Sequence, residues 1–77
     1  MASEKAVEND QIRFLLNGEP QDAPAGTTVS ELLDRLELAG DRVAVELNRE
    51  IVRQGRRESA VIHAGASVEI VEFVGGG

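Results

Sequence analysis

Residues 67–77 read "SVEIVEFVGGG". The first seven alternate: Val68, Ile70 and Glu72 fall on one side, Glu69, Val71 and Phe73 on the other, so the run reads as a β-strand. Neither side is cleanly polar. That is the pattern of a central strand, covered on one face by a helix and on the other by a partner or a loop. Directly behind it stand Gly75, Gly76 and Gly77. Glycine loses more conformational freedom on ordering than any other residue, so a glycine run adds nothing to a folded core. A segment without side chains, placed behind a central strand, raises the question of what it reaches.

Composition narrows the answers. At 77 residues the chain supports one domain, and a 42% apolar content suffices for a single core, aliphatic because Phe14 and Phe73 are its only aromatic residues. The formal net charge of −6 argues against nucleic acid, whose binders carry a basic face. No basic amphipathic stretch, bilayer-length apolar run or signal peptide is present, so neither membrane association nor export is expected. The sequence has no cysteine, which removes disulfides, thiol catalysis and thiolate metal sites. The cytoplasm is the default location.

Outward from the last strand, the remaining elements can be placed in order. Residues 1–10, "MASEKAVEND", are polar and unpatterned, and a disordered tail is expected there. Ile12, Phe14 and Leu16 alternate with Arg13 and Leu15 as a half-buried strand, and Asn17-Gly18 is a strong signal for a type I′ hairpin turn. A return strand follows from Glu19 to Ala23, with Pro20 marking a sheet edge. Thr28 and Glu31 form a capping box, with Ser30 the rival N-cap. Val29, Leu32, Leu33 and Leu36 then share one helical face, and Gly40 offers a C-terminal stop. Val43, Val45 and Leu47 alternate as another strand, with "NRE" (48–50) as a turn. A loop from Arg53 to Ser59 leads to a short apolar segment, Ala60–Ile62, read as a short strand before the last one.

One helix between two hairpin-like halves on a mixed sheet of four to five strands is an α+β arrangement. With the first and last strands side by side at the centre, the order is that of a β-grasp, the ubiquitin-like fold. A β-grasp domain (11–74) running into a flexible glycine tail (75–77) resembles the ubiquitin-like modifiers and the bacterial sulfur carriers. Among the latter it is most similar to the sulfur carriers of thiamine biosynthesis, the ThiS family. The residues that carry the resemblance are "LNGE" (16–19), "TVSELL" (28–33), "VAVELNREIV" (43–52) and above all "VEIVEFVGGG" (68–77).

The resemblance implies roles for the tail. An ATP-using adenylating enzyme would activate the Gly77 carboxylate as an acyl-adenylate, and cysteine-derived sulfur from a sulfur-donor enzyme would replace the adenylate to give a thiocarboxylate. A thiazole synthase would accept that sulfur. Gly75 and Gly76 would thread the partner's active site, where side chains would block a narrow channel and where backbone must approach a nucleotide closely. The chain itself would hold no bound cofactor, no metal and no catalytic group, and a free monomer is expected. Val71, Phe73 and Val74 are the candidate docking residues, because exposed apolar side chains on a small protein mark interaction sites; packing of Val71 and Phe73 under the 53–59 loop is the alternative.

Other features have plainer readings. His63 is the only histidine and suits an exposed loop. Arg49, Arg53, Arg56 and Arg57 read as a solvated face, with docking onto an acidic partner as the lesser option. Lys5 is the only lysine and lies off the expected fold, which suits a carrier better than a polymer-forming modifier. Three rivals stay open: the small subunit of molybdopterin synthase, whose family approaches its glycines through a proline that "VEFV" lacks; a protein-conjugating modifier; and a β-grasp interaction domain with an incidental tail.

Overall fold

Two asparagine-led turns lay out the sheet. In the computed structural model, which describes residues 10–73, β1 (Gln11–Leu16) turns into β2 (Glu19–Pro24) through Asn17 (φ 50°) and Gly18 (φ 86°). Strand β3 (Val43–Leu47) turns into the two-residue β4 (Glu50–Ile51) through Asn48 (φ 53°) and Arg49 (φ 72°). Positive φ at both central residues is the type I′ geometry, whose twist matches that of the flanking strands. The last strand, β5 (Ser67–Glu72), lies between the two hairpins, in the order β2-β1-β5-β3-β4. β1 and β5 run parallel, and the other neighbours are antiparallel. The expected α+β β-grasp is the fold observed, with five strands and one main helix.

The central strand is held from both flanks by turn residues. The parallel ladder registers only Leu15 with Ser67 and Leu16 with Val68. Asn17 then takes over the role of a further strand residue. Its backbone N–H donates to Val68 C=O (2.8 Å), its Oδ1 accepts from Ile70 N–H (2.9 Å) and its Nδ2 donates to Ile70 C=O (3.3 Å). On the opposite flank Asn48 N–H donates to Ser67 C=O (2.7 Å), and Asn48 Oδ1 accepts from Ser67 N–H (2.9 Å). A side-chain amide carries the same donor and acceptor as a peptide group, so each asparagine extends the ladder where its own backbone has turned away.

The single helix, α1 (Val29–Arg35), opens with the expected capping box: Thr28 Oγ1 accepts from Glu31 N–H (3.1 Å) and Glu31 Oε1 accepts from Thr28 N–H (3.0 Å). Its next unpaired donors are met by the 53–62 segment, with Val29 N–H on Ala60 C=O and Ser30 N–H on Arg57 C=O, both at 2.9 Å. Val29, Leu32 and Leu33 join Phe14, Ala23, Val43, Val45, Val52, Ile62, Ala66 and Val68 in one core between helix and sheet. Pro20 and Pro24 stand on the edge strand β2, where a missing N–H breaks no ladder.

Three expectations need correction. The helix ends at Arg35 rather than running to Gly40. Leu38 N–H bonds Leu33 C=O and Glu37 N–H bonds Asp34 C=O, both at 3.0 Å, a Schellman motif whose left-handed residue is Glu37 (φ 59°). Leu36 is accordingly the half-exposed C-cap, and Gly40 opens a 3₁₀ turn (Gly40–Arg42) instead. The apolar Ala60–Ile62 segment is not a ladder strand; Val61 makes a single bridge to Thr28 while Ile62 is fully buried. Arg57 is not on a solvated face but is buried.

Two substitutions check this account. Asn17→Ala removes two side-chain bonds to β5 and should lower stability by about 1–2 kcal/mol in urea denaturation. Glu37→Gly relieves a left-handed non-glycine residue and should raise stability by about 0.5 kcal/mol, offset in part by a freer unfolded chain.

Candidate docking face and tail exit

Alternation along the strands sorts the sheet into two faces. Val43, Val45 and Val68 point into the core beneath α1, and the intervening residues point away from it. No element of the described chain covers that second face. Val71 is 60% exposed and Phe73 is 55% exposed, so the 53–59 loop does not shield them. Val71 stands opposite Ala44, and the flanking strands add Leu15 and Ile51, the latter 73% exposed. Sequence reasoning missed these last two. The signal for Leu15 was its place between core residues Phe14 and Leu16; Ile51 had none, because a two-residue strand shows no periodicity.

The charges on this face are arranged unevenly. Glu46 and Glu69 are direct cross-strand partners on β3 and β5, and like charges in that relation destabilise a sheet. On the β1–β2 hairpin, Arg13 Nε and Nη2 grip the two carboxylate oxygens of Asp22 at 2.8 and 3.1 Å. The guanidinium holds the Asp22 carboxyl below its ordinary range, first through the hydrogen bond and then through its charge. A depressed folded value means that the pair supports the fold above the ordinary carboxylate range and loses that support as pH falls through it. Both side chains are exposed, so the effect is small. The centre of the face is thus apolar and acidic.

At the end of β5 the described chain is still held to the neighbouring segment. Glu72 pairs with Val43, and Phe73 N–H donates to Arg42 C=O at 2.8 Å, one residue beyond the strand. Val74 and the three glycines, including the expected threading residues Gly75 and Gly76 and the expected reactive Gly77, lie outside the described residues, as do residues 1–9 of the expected N-terminal tail. His63 is exposed, as expected. Among the described residues no group of three or more His, Asp or Glu side chains is placed to hold a metal ion. No described helix is long and apolar enough to cross a membrane. The structure therefore brings Val71 and Phe73 together with Leu15, Glu46, Ile51 and Glu69 on one open face, at the end of the described chain.

Comparison with known proteins bears on this arrangement. The ThiS family model matches residues 6–77. A thiazole synthase of Magnetococcus marinus is 45% identical over 66 residues, and one of Paramagnetospirillum magneticum is 38% identical over the same length; each match takes in 86% of this chain. The chain spans about a fifth of the length of these two relatives. Among solved structures, the thiamine biosynthesis protein (ThiS) of Geobacter metallireducens superposes with a TM-score of 0.74 at 32% identity, covering 86% of this chain and 100% of that one. With the family model matched over nearly the whole sequence and a full-length structural relative at that identity, the chain belongs to the ThiS family.

Proposed function

We propose that this protein is the sulfur carrier of thiazole formation in thiamine biosynthesis, with Gly77 as the carried group's attachment point. What supports the reading most is that the family match runs through the glycine segment to residue 77, directly behind a central strand that ends beside an open apolar face. In the proposed cycle an adenylating enzyme uses ATP to convert the Gly77 carboxylate to an acyl-adenylate, releasing pyrophosphate. Cysteine-derived sulfur, delivered by a donor enzyme and brought to the sulfide level by a thiol reductant, forms the C–S bond as the acyl–phosphate bond breaks and AMP leaves. The thiocarboxylate then passes its sulfur to a thiazole synthase. The catalytic groups belong to those partners; this chain contributes the carboxylate and a surface to recognise. The cycle is one of the cytoplasm, and the free carrier is a monomer.

Physical considerations fit this division of labour. Val74 and three glycines, fully extended, span about 13 Å, enough to carry the carboxylate away from the globular body into an enclosed site. Glycine permits that passage because it has no side chain to exclude. The open face suits a partner that is apolar at its centre and basic around it. Glu46 and Glu69 would each gain a counter-charge on docking, which turns an unfavourable cross-strand pair in the free protein into a favourable one in the complex.

The absence of cysteine makes the decisive experiment simple, since any thiol found must have been added. The protein is incubated with the adenylating enzyme, ATP and a sulfur donor, alkylated at thiol, and fragmented in the mass spectrometer. Alkylation at Gly77 that requires ATP is expected. Lysine adducts without a thiol would instead indicate a conjugating modifier, and sulfur accepted by a molybdopterin precursor but not by a thiazole synthase would move the carrier to that pathway. Appending one residue after Gly77 should abolish charging while leaving the fold unchanged by circular dichroism. The docking face carries its own prediction. Glu69→Gln should raise the carrier's stability by about 0.2–1 kcal/mol in denaturant, yet weaken its binding to the adenylating enzyme in titration calorimetry.

A further inference from the structure

Arg57 is the most anomalous side chain in the fold. It is 7% exposed, yet no carboxylate among the described residues lies within ion-pair distance of it. Its guanidinium is instead spent on carbonyls: Nη1 donates to Gly40 C=O at 2.6 Å and Nη2 to Val43 C=O at 3.0 Å, while Nε has no partner. Burying a cation against dipoles alone is costly, and an apolar side chain of similar volume would fill the space without that cost. A local rule broken in this way points to a role outside stability.

The role follows from what the two carbonyls bracket. Gly40 opens the 3₁₀ turn and Val43 is the first residue of β3, and between them stands Arg42, whose carbonyl accepts the Phe73 N–H just past the end of β5. Gln54 Nε2 adds a second donor to Gly40 C=O at 3.1 Å. Arg57 is itself anchored from behind, since its own carbonyl accepts the Ser30 N–H in the first turn of α1. Hydrogen bonds at either end of Arg57, joined by the short covalent stretch from Gly40 to Val43, therefore link the helix N-terminus to the carbonyl that holds Phe73. The planar fork of a guanidinium fixes two acceptors at once in a set geometry, which a single ammonium cannot do.

We propose that Arg57 is a positioning residue for Phe73, the last described residue before the glycine segment: by clamping the Gly40 and Val43 carbonyls it orients the Arg42 carbonyl that accepts the Phe73 N–H. It touches no reacting atom. Its effect on charging rests on the carrier function proposed above, whereas its effect on the Phe73 amide does not.

The test pairs those two readouts in the full-length protein. Arg57→Met and Arg57→Lys are compared with wild type and with Phe14→Leu, a core variant that lowers global stability far from the tail. Amide hydrogen exchange by NMR should show Phe73 exchanging about three- to tenfold faster in Arg57→Met, beyond what its change in global stability accounts for. Arg57→Lys, which keeps the charge but lacks the rigid two-nitrogen fork, should fall between. In steady-state charging by the adenylating enzyme, Arg57→Met should lower kcat about tenfold with KM for the carrier held, because the docking face is intact while the carboxylate is misdirected. A smaller folded fraction, as in Phe14→Leu, raises the apparent KM instead. If Phe73 exchange in both arginine variants merely tracks global stability, or if kcat is unchanged, the proposal is overturned. Should Arg57→Met fail to fold, Arg57→Lys is read by the same two criteria. If wild type itself is not charged, the carrier reading fails, and Phe73 exchange alone still decides the positioning claim.

Discussion

The structure depends on how its last strand is gripped. β5 arrives at the centre of the sheet after every other element has been laid down, and only two residue pairs register it against β1. Asn17 and Asn48, one in each hairpin turn, complete the grip with side-chain amides that bond Ile70 and Ser67 as peptide groups would. Each also occupies a left-handed backbone conformation that asparagine tolerates better than most residues. The same residue type thus shapes each turn and joins it to the central strand. With β5 fixed, Phe73 behind it is held as well, by its N–H on the Arg42 carbonyl.

That grip explains how the two faces divide their work. The face beneath α1 is aliphatic, filled by Val45, Ile62, Val68 and their neighbours, and anchors the fold. The opposite face leaves Val71, Phe73 and Ile51 in water and sets Glu46 against Glu69. Both features cost the uncovered protein something, and in the proposed docked complex both become favourable. A surface poorly arranged for solvent, next to the last described residue before the glycine segment, supports the carrier reading proposed above.

Legibility in the sequence followed the range of the interactions. The Asn17-Gly18 turn, the Thr28–Glu31 capping box and the alternation of Val68 to Phe73 are local devices, each decided within a few residues, and all were readable. The helix end was not, because Glu37 takes a position for which Gly40 offered the more conventional residue three places later. Ile51 gave no signal in so short a strand. Arg57 misled, since an arginine among other arginines reads as surface, and only the folded chain brings the carbonyls of Gly40 and Val43 against it.

The sequence by itself determined the elements, their order and the glycine segment behind the last strand, because periodicity, turn chemistry and capping are written in neighbouring residues. The pairing of Asn17 with Ile70, 53 residues away, the open face shared by Leu15, Ile51 and Val71, and the burial of Arg57 were decided only by tertiary structure. The physical reason is that a side chain's partners at long range are set by how elements pack, and a single sequence records the elements but not the contacts between them.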